Sequence, residues 1–103
     1  MIVKDERTAP ISAPTNLEAK LADDHSNATL SWQAPAGVDT ACYIIYRDGA
    51  LFATVKPYKT TWTDNTLLPG TNTRYHVSAI NTNGDESIAE QTEPAIVRTA
   101  MTN

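Results

Sequence analysis

The sequence predicts an all-β fold, a sandwich of seven antiparallel strands. Three observations support this prediction. Short stretches in which apolar and polar residues alternate recur along the chain, as half-buried strands require. Turn signals built on Pro, Gly, Asn and Asp separate these stretches at intervals of about eight to twelve residues. Runs of helix-forming residues are scarce and Thr, which favours strands, is abundant.

The first half of the chain contains four predicted strands. Alternating residues place the first two within 17–21 and 28–33. The run 41–47 is the most strand-like segment of the chain. Asp48-Gly49 follows it and is a strong signal for a two-residue hairpin turn. The fourth strand should therefore return over 51–55.

Three further strands are predicted in the second half. They lie at 58–62, at 75–80 and somewhere within 87–99. Asp64, a poor strand residue, should end the fifth strand. Pro94 cannot donate to a sheet ladder, so the last strand should lie at an edge or bend at this residue.

Length, composition and charge restrict the function classes. The chain has 103 residues, 41% hydrophobic and 19% charged, which fits one globular domain. Its net charge of −4 argues against nucleic acid as a partner, and no apolar run approaches the roughly 20 residues of a spanning helix. The single cysteine excludes an internal disulfide and a Cys-rich zinc site. We expect a monomer without membrane insertion.

The domain boundaries follow from the same patterns. We expect a linker over residues 1–12, one domain over 13–100 and a tail over 101–103. Residues 1–7 carry a charged cluster where a signal peptide would need an apolar core. If the parent protein is exported, its signal is lost or lies upstream.

Several motifs recur in one order and spacing, and together they resemble a fibronectin type III domain over roughly residues 10–100. These are Pro14 with Leu17, Leu30-Ser31-Trp32 with Pro35, the run from Tyr43 to Gly49, Trp62-Thr63-Asp64, Leu67-Leu68-Pro69-Gly70-Thr71, and the run from Tyr75 to Asn81. The paired cysteines of a true immunoglobulin domain are missing. The resemblance implies an immunoglobulin-like sandwich of fibronectin type III topology.

One position departs from the family pattern. Members usually carry a Tyr six residues after the turn leucine, and its hydroxyl ties the corner between the fifth and sixth strands. Counting six from Leu67 reaches Thr73, and Tyr75 falls at the next inward position. Either the corner hydrogen bond is absent or Tyr75 forms a modified corner.

The resemblance implies a protein without catalysis or cofactors. We expect a spacer or docking module of a larger, secreted or cell-surface bacterial protein, such as a glycoside hydrolase. Its partners would be neighbouring domains of the same polypeptide, or a protein or carbohydrate. The alternative is an adhesion module that binds protein or glycan.

Candidate catalytic and metal-binding residues are few. Cys42 and His76 could lie on neighbouring strands, but on a sheet face without a cleft, so we predict no catalytic pair. His25 lies in a polar turn and is better interpreted as solvated than as a metal ligand. Trp32 and Trp62 occupy inward positions, which favours core packing over a sugar-stacking platform.

The sequence also predicts an apolar contact face. Cys42, Ile44 and Tyr46 alternate on the third strand and point away from the core, with Ile80 beside them on the sixth. Antiparallel sheets usually place polar residues on such a face. We predict a contact surface formed by Ile44, Tyr46 and Ile80, the alternative being that neighbouring long side chains shield them.

Overall fold

A computed structural model describes residues 11–88 and 94–99 of the chain. Most of the predicted linker and all of the tail at 101–103 lie outside these residues, as does part of the predicted seventh-strand segment. The strands are β1 (Thr15–Leu21), β2 (Ala28–Gln33), β3 (Thr40–Arg47), β4 (Ala50–Val55), β5 (Thr61–Asp64), β6 (Asn72–Asn81) and β7 (Ala95–Arg98). They form two antiparallel sheets, ordered β1-β2-β5 and β4-β3-β6-β7. The predicted seven-stranded sandwich is confirmed.

The core lies between the two sheets and consists of the inward residues of every strand. On β2 these are Ala28, Leu30 and Trp32, of which Trp32 is 4% exposed. Its ring packs edge-on against that of Tyr43, with 5.3 Å between the centroids. The sequence prediction that Trp32 fills the space between the sheets is therefore confirmed.

The hairpin between β3 and β4 turns at Asp48 and Gly49, as predicted. Their φ angles are 52° and 86°, the positive pair that a type I′ turn requires. The β3–β4 register shifts between Ile45 and Tyr46, and this bulge leaves Phe52 without a paired residue. Phe52 packs edge-on against the half-buried Trp62, at 5.5 Å between centroids, so the two rings meet across the strands β4 and β5.

One strand prediction needs correction. The fifth strand runs over Thr61–Asp64 and not over 58–62, so Asp64 belongs to the strand that it was expected to end. Its carboxylate is tolerated there because hydrogen-bond donors surround it, as described below. The regular part of the last strand is short and lies at the sheet edge directly after Pro94, as that proline predicted.

The described chain enters and leaves the sandwich at opposite ends. Thr15, at the start of β1, pairs with Gln33 at the end of β2, and the short 34–39 loop leads from there to the start of β3. Arg98, at the end of β7, pairs with Asn72 at the other end of the molecule. We call these the N-terminal and C-terminal ends. The ten-residue strand β6 connects them over about 33 Å.

Candidate functional site

The outward face of the four-stranded sheet contains the residues predicted to form a contact surface. The β3–β6 register places Cys42 opposite Ile80, Ile44 opposite Ser78 and Tyr46 opposite His76. The alternate residues of these strands, among them Tyr43, Ile45 and Val77, belong to the core cluster. The outward direction predicted from the alternation therefore agrees with the observed register.

Exposure on this face differs from the prediction at one position. Tyr46 and Ile80 are half-buried, but Ile44 is only 6% exposed. Ile44 lies on a central strand, with Thr54 opposite on one side and Ser78 on the other. Shielding by neighbours, the alternative considered above, therefore applies to Ile44, and Tyr46 and Ile80 are the accessible members of the predicted set.

Glu86 covers part of the same face. It bridges to Ile80 at the end of β6, and one carboxylate oxygen accepts hydrogen bonds from the Tyr46 hydroxyl and from Ser78 Oγ, each at 2.5 Å. The two bonds tie β3 and β6 to the segment after the 81–85 turn. They also fix the position of the Tyr46 hydroxyl over the sheet.

Cys42 and His76 share this face but do not meet. His76 pairs with Tyr46, four residues along β3 from Cys42, a separation of about 13 Å at 3.3 Å per residue. A nucleophile and its base need hydrogen-bond contact, so the register gives these two residues no joint chemistry. Among residues 11–88 and 94–99 we find no group of three His, Cys, Asp or Glu side chains suited to a metal ion.

A groove of about 630 Å³ crosses the outward face near its C-terminal end. Its lining combines an aromatic ring, two acids, a cation and an imidazole: Tyr46, Asp48, Gly49, Arg74, His76, Glu86 and Ser87. Such a lining can form hydrogen bonds and ionic contacts with a ligand. No single motif in the sequence brings these residues together, because they come from β3, the hairpin turn, β6 and the segment after it.

A buried polar cluster at the C-terminal end resolves the question of the corner. Tyr75 donates its hydroxyl hydrogen to Asp64 Oδ2 at 2.5 Å, which ties β6 to β5 through a side chain. Arg47 Nη1 contacts the same oxygen at 3.0 Å, and the Thr66 amide and hydroxyl donate to Oδ1. Thr73, at the usual tyrosine position, is buried at 3% exposure. Tyr75 therefore forms the modified corner.

This environment shifts two pKa values in opposite directions. Burial alone would raise the pKa of Asp64, but the hydrogen bonds from Thr66 and Tyr75, assisted by the Arg47 charge, outweigh burial and lower it. For Tyr75, burial and then the hydrogen bond to the Asp64 carboxylate raise the pKa well above 10.0. Asp64 is thus ionised and Tyr75 neutral at pH 7, which is the charge state that this cluster needs.

We find no helix in the described residues with the length and apolar composition to cross a membrane. A family model described as the fibronectin type III domain matches residues 12–95. No curated protein matches the chain.

Solved structures with the same architecture include bacterial proteins. An Fn3-like protein from Clostridium thermocellum has a TM-score of 0.74 and 29% identity, covering 92% of this chain and 99% of that one. A Family 28 exopolygalacturonase from Yersinia enterocolitica has a TM-score of 0.72 and 24% identity, covering 88% of this chain and 21% of the enzyme. A β-1,2-glucanase from Parabacteroides distasonis has a TM-score of 0.72 and 24% identity, covering 92% of this chain and 13% of the enzyme. This chain thus spans a small part of either enzyme's length, and at these identities the two enzymes show the fold alone.

Proposed function

The chain belongs to the fibronectin type III family, and on this premise we propose that it is a non-catalytic spacer or docking module of a larger, secreted or cell-surface bacterial protein. In this proposal residues 13–100 form the module, with a linker over 1–12 and a tail over 101–103. The observation that carries the proposal is the path of the chain, which enters and leaves at opposite ends of the sandwich. A domain of this kind separates its two neighbours by its own length.

The chemistry of the described residues supports a role without catalysis. Cys42 and His76 are held apart by the strand register, and the buried carboxylate of Asp64 is fully occupied by its donors. A reaction centre needs a base and a nucleophile or polarising group around a shared space. The partners that we propose are neighbouring domains of the same polypeptide, and we propose that the module is a monomer.

A second candidate function is adhesion through the outward face of the β4-β3-β6-β7 sheet. It would use the predicted set Ile44, Tyr46 and Ile80, of which Tyr46 and Ile80 are accessible. The half-buried Tyr46 and Ile80 offer a small apolar area, which favours weak or tethered contact over tight independent binding.

The non-catalytic role is tested with the purified chain and a panel of polysaccharides and esters. We expect no turnover above the rate of a heat-denatured sample. Turnover that disappears in the His76→Ala or Cys42→Ala variant would overturn the proposal. The matched control is His25→Ala, which removes a histidine from the β1–β2 turn.

A further inference from the structure

Two arginines lie diagonally across the outward face at the C-terminal end. Arg74 on β6 pairs with Ile96 on β7, and Asn72 pairs with Arg98. All four residues are exposed. Diagonal neighbours on one face of an antiparallel pair lie about 7–8 Å apart, so long side chains at these positions can reach the same ligand.

Both guanidinium groups lack an acidic partner within the part of the chain that the structure describes. The ion pair found there joins Arg47 to Asp64. The nearest acids of the described residues keep their charge but face other donors: Asp48 Oδ1 accepts the backbone N–H of Arg74 at 3.0 Å, and Glu86 accepts hydrogen bonds from Tyr46 and Ser78. One part of this region, lined by Arg74 and Arg98 with Asp48 as its acidic residue, therefore has an excess of positive charge that favours an anion.

The arginines line a continuous depression. The 630 Å³ groove described above adjoins a second one of about 310 Å³, lined by Asn72, Thr73, Ile96 and Arg98, and both are bordered by Asp48 and Arg74. A concave site formed by two adjoining grooves suits a narrow ligand chain. A protein partner would need a broad apolar or aromatic centre, and here the large apolar side chains are the half-buried Tyr46 and the 48% exposed Ile96, which line different grooves.

We propose that this depression binds an acidic polysaccharide, whose uronic-acid carboxylates are held by Arg74 and Arg98. A guanidinium fork matches a carboxylate with two parallel N–H···O bonds. Asn72 and His76 supply donors and acceptors for sugar hydroxyls, and the Tyr46 ring supplies an apolar surface. This inference deepens the docking role proposed above and rests on it, because it gives the module a ligand.

The test is an NMR titration of the purified chain with oligogalacturonate as the probe, at low and at high salt. We expect shifts at the amides of β6 and β7 and weaker binding as salt rises, because exposed ionic contacts are screened. The Arg74→Gln/Arg98→Gln variant should bind at least tenfold more weakly. The control Lys56→Gln/Lys59→Gln removes the same charge from the β4–β5 connection at the N-terminal end and should bind as the unmodified protein does.

Four outcomes would overturn the inference. The first two are that oligogalacturonate does not bind, or that both double variants bind it equally weakly. The third is that a neutral galactan oligomer binds as tightly as oligogalacturonate. The fourth is that poly-L-glutamate binds more tightly than oligogalacturonate, which would indicate an acidic peptide ligand. Thermal melting of each variant confirms that it is folded before titration. If oligogalacturonate does not bind, the proposed spacer role is unaffected, because that role is tested by the absence of turnover and by the shape of two joined copies.

Discussion

Replacing Asp64 with Asn should destabilise the domain more than any single exposed substitution. Asp64 is 1% exposed and accepts from four donors: Arg47 Nη1, the Tyr75 hydroxyl, and the amide and hydroxyl of Thr66. An Asn side chain keeps one acceptor oxygen and turns an NH₂ group towards two of these donors. It also leaves the Arg47 guanidinium without its carboxylate.

The magnitude follows from the bonds that are lost. Each hydrogen bond to a charged group contributes about 1.5–3 kcal/mol, and at least two are lost. The Arg47 side chain is 20% exposed, so water partly compensates its charge. We therefore expect Asp64→Asn to lower the free energy of unfolding by about 2–4 kcal/mol, a large part of the roughly 5–15 kcal/mol typical of a domain.

Urea unfolding followed by tryptophan fluorescence measures this change. With a slope of about 1–3 kcal/mol per molar urea, the midpoint should fall by roughly 1 M or more. The matched control Asp23→Asn changes an exposed carboxylate in the β1–β2 turn and should leave the midpoint nearly unchanged. Equal, small shifts in the two variants would refute the account of the buried cluster.

The same cluster predicts a dependence of stability on acid. Because the folded-state pKa of Asp64 is lowered, its contribution is complete above the unfolded value of about 3.9 and is lost as the pH falls through the folded pKa. The unmodified protein should therefore lose more stability between pH 5 and pH 2 than the Asp64→Asn variant does, in urea titrations at each pH. Parallel pH profiles for the two proteins would contradict the lowered pKa.

Three further predictions concern single residues. Because folding raises the pKa of Tyr75, the contribution of Tyr75 to stability is complete below about pH 10 and is lost as the pH rises towards the folded pKa. Tyr75→Phe should lower the free energy of unfolding by about 1–2 kcal/mol at pH 7 and flatten the alkaline part of the profile of stability against pH. An unchanged profile would contradict this prediction. Trp32→Ala should cost about 3–5 kcal/mol in urea unfolding, since the ring is buried against Tyr43, and an unaltered midpoint would exclude its core position. Ile44→Thr should cost about 1–3 kcal/mol but Ile80→Thr less than about 0.5 kcal/mol; similar costs would contradict the difference in burial.

Local patterns predicted those parts of the fold that depend on neighbours along the chain. Alternation identified the inward residues of β2 and β6, because strand side chains point to opposite faces in turn. The Asp48-Gly49 turn was predictable because few residues tolerate positive φ at both positions. Pro94 indicated an edge strand for an equally local reason, its missing N–H.

Features that depend on contacts between distant strands were not predictable in this way. The burial of Asp64 requires Arg47 from β3 and Tyr75 from β6, and no local pattern reveals that three strands supply one cluster. The shielding of Ile44 depends on its neighbours across both adjacent strands. The arginine site was missed because Arg74 and Arg98 come together only through the β6–β7 register.

The central claim is that the domain separates its neighbours, because the chain enters the sandwich at one end and leaves it at the other. It is tested most directly by small-angle X-ray scattering on two copies of the chain joined in one polypeptide, compared with a single copy. Because β6 alone spans about 33 Å between the two ends of each sandwich, we predict that the joined copies extend the maximum dimension by at least that length. A maximum dimension close to that of one copy would show that the two domains lie side by side, and would contradict the claim.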